Sequence, residues 1–178
     1  RDDRLTIDLE GASSTLAVSA AGQVGLMDRV VDLRVRVTNA SLAPYVRMYD
    51  PRLSPYTSAV VSGSAHVTGE LNWDGISADA TIEQADLRLL DYDVRNDGPT
   101  ELSLDGRVIS VDRLRLVGEG TGVDLAGSVD LATDALGLTI RGDANLGILQ
   151  GFVPDLRGSG VAEVRTRVSG TFDEPELT

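Results

Sequence analysis

No cysteine occurs in the 178 residues. That absence removes disulfides, thiolate nucleophiles and Cys-based zinc sites together. It does not tie the chain to a reducing compartment, because a chain of this length can fold without covalent staples. Lysine is missing as well. All 16 basic residues are arginine, which we read as the mark of a GC-rich genome and not as a binding surface. Histidine occurs once, and aromatics are scarce, with one Trp, four Tyr and two Phe. Apolar runs are short, as in Ser58–Ala59–Val60–Val61, far from the roughly 20 apolar residues of a membrane helix. The opening RDDRLTIDLEG lacks the layout of a signal peptide. A net charge of −12 repels phosphate backbones and anionic headgroups, so the expectation is no nucleic-acid binding and no electrostatic docking on a membrane.

What is present is alternation. From Leu102 to Leu138 every second residue of each short piece is apolar: LSLDG, RVISVD, RLRLVGEG, VDLAGSVDL, ALGLTIRG. Period two is the signature of a sheet with one dry and one wet face, and Gly and Asp at short intervals mark a meander of antiparallel strands. Leu5–Leu9, Leu16–Val18, Val30–Val37, Ala59–Leu71, Ala78–Gln84, Ala85–Leu90 and Val161–Ser169 read as further strands, with a Gly-rich break at Ala21–Gly25 and a loop at Tyr92–Pro99. Two stretches change period. Ser41–Tyr49 and Asn145–Phe152 place apolar residues at helical spacing and predict two short helices, ended by Pro51 and Pro154. The order strand, helix, Pro link, strand occurs twice, giving pseudo-repeats over roughly 5–71 and 102–170. The chain opens and stops inside strand-like sequence, so the expectation is one β-groove segment, 1–178, of a longer protein.

The inventory of chemistry is thin. His66 lies between Ala65 and Val67, which turns it to the polar face, and a catalytic or metal-bound histidine needs partners. There is no Gly-x-Ser-x-Gly elbow. Gly118–Gly122 is glycine-rich but runs into a strand, where a phosphate loop needs a helix. Asp91, Asp93 and Asp97 fail the EF-hand pattern, because Arg95 stands where an oxygen ligand belongs. Asp130 and Asp134 flank a hairpin, and no carboxylate pair stands out for hydrolase chemistry. The expectation is no enzyme, no metal and no cofactor.

The stretch LRGSGVAEVRTRVSGTFDEPEL (156–177), preceded by GVDLAGSVDLATDALGLTIRGDANL (122–146), resembles the C-terminal repeat region of the TamB family (translocation and assembly module), within the AsmA-like group. Val168–Ser169–Gly170–Thr171 with Pro175 and Leu177 is its sharpest part. The resemblance is carried mainly by Leu71–Thr178. The first copy departs from it, since Gly69 is followed by Glu70–Leu71–Asn72–Trp73 with no proline. The resemblance implies a β-taco, a long sheet curled around an apolar groove. It also implies a periplasmic protein of Gram-negative bacteria, anchored in the inner membrane and meeting an Omp85-type outer-membrane barrel. Its implied work is outer-membrane biogenesis: moving phospholipid, or handling unfolded outer-membrane protein strands, between the two membranes.

The residues alone lead to a compatible expectation. The fold class is all-β, an elongated curled antiparallel sheet with two short helices. Two facing layers held slightly apart, where a sandwich core is about 10 Å thick, leave a slot for an acyl chain. At about 0.8 kcal/mol per methylene, a 16-carbon chain gains on the order of 10 kcal/mol before ordering costs. The expected lipid- or client-binding lining is Leu33, Val35, Val37, Leu102, Leu104, Leu114, Leu116, Val123, Leu125, Val129, Leu131, Leu136, Leu138, Ile140, Val164 and Val168. The alternative is a β-sandwich or solenoid spacer of a large secreted protein, with the same faces fully packed.

Overall fold

A computed structural model describes residues 3–13, 16–42, 57–89, 91–149 and 158–178. Twelve strands lie in one antiparallel sheet. In chain order they are β1 (Arg4–Ala12), β2 (Ala17–Gly25), β3 (Val30–Ser41), β4 (Ser58–Glu70), β5 (Ile76–Leu89), β6 (Tyr92–Asn96), β7 (Thr100–Asp105), β8 (Val108–Gly118), β9 (Thr121–Asp130), β10 (Ala135–Asn145), β11 (Val161–Gly170) and β12 (Pro175–Leu177). Strand order follows chain order, except that β6 and β7 share the gap between β5 and β8, β6 at one end and β7 at the other. The helix expected at Asn145–Phe152 is present as one turn, α1 (Leu146–Leu149); Asn145 is the last residue of β10, and residues 150–152 lie outside the described residues. The helix expected over Ser41–Tyr49 falls almost wholly outside them. Ser41 itself is the last residue of β3.

All twelve strands belong to the one sheet, so no second sheet faces it among the described residues. The accessible surface is 11947 Å² for 18.8 kDa, against roughly 8300 Å² for a compact monomer of that mass. Among the described residues, the buried apolar side chains are those of Val31, Ala85, Val94, Ala144 and Ile148, and Thr100 is the buried polar one. Cross-strand backbone pairing and side-chain contact along one face therefore replace a closed core.

Three expectations need correction. First, Ala78–Gln84 and Ala85–Leu90 are not two strands. Residues 78–84 and 85–89 belong to β5, whose register slips between Ile82 and Gln84, and Leu90 lies outside the described residues. Likewise RVISVD and RLRLVGEG form the single strand β8, with a slip between Val111 and Leu114. A turn and a β-bulge both shift the phase of an alternating pattern, and here the shift is a bulge. Second, Ala21–Gly25 is strand, paired with Asp32–Arg34 and Val31 on one side and with Arg4–Asp8 on the other. Third, Tyr92–Asn96 is strand inside the stretch read as a loop.

The bulges share one consequence. β3 slips between Val37 and Ala40, with Asn39 at φ 56°; β5 slips at Glu83; β8 slips at Asp112–Arg113. Following the registers, these sites lie within about one residue row of each other across the sheet. β6 and β7 also change over there, between Asn96 and Thr100. Each bulge adds bend and twist to its strand, so the sheet carries a crease running across its strands. Each slip also changes which parity is apolar: Leu33, Val35, Val37 become Ala40; Ala78, Ala80, Ile82 become Ala85, Leu87; Ile109, Val111 become Leu114, Leu116. The sequence changes step where the backbone does, and one face stays apolar throughout.

Gly118–Gly122 closes the β8–β9 hairpin with a two-residue turn. Glu119 and Gly120 both take positive φ, 38° and 75°, the conformation that suits the twist of a tight hairpin. Gly69, one residue before the end of β4, and Gly170, the last residue of β11, both take positive φ, 103° and 83°.

Gly127 and Gly137 separate backbone demand from mere smallness. Gly127 has φ 136°, and a Cβ there would run into the Gly137 carbonyl; Gly137 has its nearest atom, Ser128 O, 3.6 Å from such a Cβ. Gly127→Ala should cost about 2 kcal/mol or more, and Gly137→Ala should stay within about 0.5 kcal/mol of the parent. Urea unfolding of the two variants checks this.

Candidate functional site: one apolar face

Directly paired residues of antiparallel strands share a face, so the registers trace rows across the sheet. One row runs Leu9–Ala20–Val35–Ala65–Ala80–Leu102–Val111–Gly127–Leu138–Val168–Leu177, through eleven strands without a polar residue. The adjacent row runs Ile7–Gly22–Leu33–Val67–Ala78–Leu104–Ile109–Val129–Leu136. Beyond the crease lie Leu114–Leu125–Ile140–Thr166 and Leu116–Val123–Gly142–Val164. At about 4.8 Å per strand, the longest row is about 48 Å.

Fifteen of the sixteen expected lining residues sit on this face, and each of the fifteen is half-buried, neither sealed nor fully wet. Leu33, Val35 and Val37 come from β3, Leu102 and Leu104 from β7, and Leu114 and Leu116 from β8. Val123, Leu125 and Val129 come from β9, Leu136, Leu138 and Ile140 from β10, and Val164 and Val168 from β11. Leu131 is the correction. It lies in the turn after β9, 40% exposed, its N–H bonded to Arg107 O. Asp130 ends the strand there because its carboxylate accepts the Ala132 N–H at 2.8 Å, which starts the turn.

The same face holds residues that the sequence reading passed over: Leu5, Ile7 and Leu9 of β1, Val18, Ala20 and Val24 of β2, and Ala65, Val67, Ala78 and Ala80 of β4 and β5. The alternation that found the others was present in them. In β2, β4 and β5 it is written in Ala and Gly, whose small side chains weaken the contrast.

At one end the face is covered. α1 follows β10 directly, Ile148 is 6% exposed, and Ala144 and Val94 are each 4% exposed. A Cβ on Gly147 would strike the Tyr92 ring, so glycine lets α1 lie against β6. Asn145 ties the corner, donating from Nδ2 to Glu119 O at 2.9 Å and accepting the Gly147 N–H at 2.9 Å.

Comparison with protein-family models, with curated proteins and with solved structures finds no match.

The opposite face is charged and paired across strands. Arg113 Nε donates to Asp124 Oδ1 at 2.7 Å, and Arg115 donates to Asp124 Oδ2 at 2.9 Å while lying 3.3 Å from Asp97. Arg113 reaches Asp124 because the β8 bulge supplies an extra polar-face residue. His66 Nε2 lies 2.8 Å from Asp32 Oδ1 on this face, with both side chains largely exposed. Open depressions occur here, one of 600 Å³ over Ser58, Asp86, Arg88, Asp93, Arg95 and Glu119. Arg88 and Asp93 in it pair at 3.3 Å. Asp91, Asp93 and Asp97 do not converge, and no group of three His or acidic side chains that could hold a metal gathers among the described residues.

Two acids on this face titrate low. The hydrogen bond from Arg113 holds the Asp124 carboxyl below the usual carboxylate range, and backbone and Thr133 hydrogen bonds in its turn do the same for Asp130. A depressed folded pKa gives stability that is complete above the unfolded value, about 3.9, and is lost as pH falls through the folded value. The urea midpoint should therefore drop between pH 5 and pH 2, and Asp124→Asn should shrink that drop. At the covered end, Gly147→Leu should displace Tyr92 and lower the midpoint, and Gly147→Leu with Tyr92→Ala should recover part of the loss.

Proposed function

We propose that this chain is a β-groove module of the TamB kind, whose apolar face carries phospholipid acyl chains, or strands of unfolded outer-membrane proteins, between the inner and outer membranes. In this reading it works in the periplasm. The full-length protein is held in the inner membrane and meets an Omp85-type barrel at the outer membrane. The observation that carries the reading is the unbroken apolar row through eleven strands, left half-exposed where the described residues form a single sheet. Monomeric soluble proteins rarely keep so long an apolar surface without using it. A row of about 48 Å exceeds an extended acyl chain, since a whole hydrocarbon core is about 30 Å thick. The lining is aliphatic, with no charged residue in its two longest rows, which suits hydrocarbon and selects little else.

The packed β-sandwich alternative needs a second sheet, and all twelve strands lie in one. The remaining choice, between lipid and protein strand as passenger, is chemical. Acyl chains need only the apolar rows, whereas a strand passenger also needs backbone partners, and those exist only at the sheet edges.

A photo-crosslinking residue at Leu116, Leu125 or Leu138 should trap phospholipid in cells, while one at Ser103 or Ser128, on the charged face, should not. Equal capture from both faces, or none from either, overturns the proposal. Leu138→Asp should leave strand content intact, lower stability by about 1–2 kcal/mol at a half-buried site, and abolish capture at Leu125. Capture unchanged in that variant would place the passenger elsewhere.

A further inference from the structure

One long rim of the sheet is made of hairpin turns, and four of them are tied into a row. They close β2–β3, β4–β5, β7–β8 and β9–β10 at the same end of the strands. The Leu71 N–H donates to Arg29 O at 2.8 Å, Arg107 Nε donates to Asp74 Oδ1 at 2.9 Å, and the Leu131 N–H donates to Arg107 O at 2.8 Å. Three of the turns are also braced from within. Asp28 Oδ1 accepts the Val30 N–H at 3.2 Å, Asn72 Oδ1 accepts the N–H groups of Asp74 and Gly75 at 3.0 and 2.7 Å, and Asp130 holds the third as described above. The polar side chains thus serve the turns, while large apolar ones stand outward: Met27 is 83% exposed, Leu26 and Trp73 63% each, and Leu71 50%. Turn residues are normally small and polar, and here the chain's single tryptophan is among them. The turns join strands inside the sheet, so a strand added beyond β1 or β12 would pair at an edge and leave them exposed.

We propose that this rim docks a partner protein through an amphipathic helix with basic flanks. Apolar side chains held on braced turns lose little freedom on binding, and tryptophan is enriched where interface contacts are strong. The charge selects the partner. Asp28, Glu70, Asp105, Asp130 and Asp134 lie in or beside these turns, against Arg29 and Arg107, and Arg107 is already engaged by Asp74. Anionic headgroups are repelled by that ring of acids, and a second copy would bring the same acids, with −12 on each chain. Lysine or arginine beside an apolar seam complements it. The shape selects a helix. Turn tips offer no edge for an added strand. Successive turns lie two strand spacings, about 9.6 Å, apart, and seven residues of α-helix rise about 10.5 Å. A helix lying along the rim therefore meets neighbouring turns with one repeating side of its surface. This surface is separate from the apolar face and does not depend on what that face carries.

Because Trp73 is the only tryptophan, its fluorescence reports the rim directly. The probe is a synthetic helical peptide with leucine along one face and lysine along the other. Titrated into the whole chain, it should shift Trp73 emission to the blue and saturate. Met27→Ser and Leu71→Ser, both at exposed positions, should each weaken binding about tenfold. Asp28→Asn with Asp134→Asn should weaken it and flatten its dependence on salt. Leu138→Asp, on the apolar face, and Arg36→Ser, on the charged face, should leave it unchanged. Peptides with serine in place of leucine, or glutamate in place of lysine, should not bind. Equal binding of the serine peptide would reduce the effect to charge adsorption and overturns the proposal. So does a blue shift with phosphatidylcholine vesicles but not with the peptide, a free chain that sediments as a dimer dissociated by Met27→Ser, or no shift with any probe.

Discussion

The structure rests on hydrogen bonding between neighbouring strands in a sheet that, among the described residues, has no second sheet to close against. An ordinary β-protein buries one face of each sheet on another, and the apolar contacts so made offset the entropy of ordering the chain. Here the ladder holds the strands while side chains on one face pack mainly on those beside them, except where α1 covers one end. Cross-strand pairs of this sort contribute roughly 0.2–1 kcal/mol each, so many are needed, and the registers supply them along every strand. This explains why the chain keeps two-faced alternation over strands such as β9 and β10, and why few of the described residues reach full burial.

The bulges reconcile that alternation with curvature. A regular strand bends little across its own length, and an extra residue bends it at the cost of a phase slip. Such a slip would turn the rest of the strand's apolar residues to the wet face unless the sequence slipped too. In β3, β5 and β8 it does, and the displaced polar residues on the charged side are put to use, as when Arg113 reaches Asp124.

Legibility followed contrast. Val30–Val37 and the run from Leu102 read cleanly because Val and Leu alternate there with Asp, Arg and Ser, and the structure has strands at both. Ala17–Gly25 was hidden because Ala and Gly say little about face; its strand is imposed by β1 and β3 on either side. Tyr92–Asn96 was masked by the turn chemistry of Asn96–Asp97–Gly98 just after it. The phase slips in β5 and β8 were visible in the sequence but were read as strand ends, since one residue of slip looks the same whether the chain reverses or kinks. Leu131 continued the alternation by one step too many, and the Asp130 turn that interrupts it depends on a side chain bonding two residues ahead. The apolar face of β3 and of β7 to β11 was legible from alternation, because a face needs only composition and period, whereas the coverage by α1 depends on Gly147 meeting Tyr92 from across the chain.

Because nearly every strand touches only the strands beside it in sequence, the sheet behaves as a ruler. Inserting or deleting one hairpin would lengthen or shorten the apolar track by two strand spacings, about 9.6 Å, while disturbing no contact beyond its immediate flanks. Reach could thus be adjusted in fixed increments without redesigning an interior, an economy that a protein with a shared central core does not have.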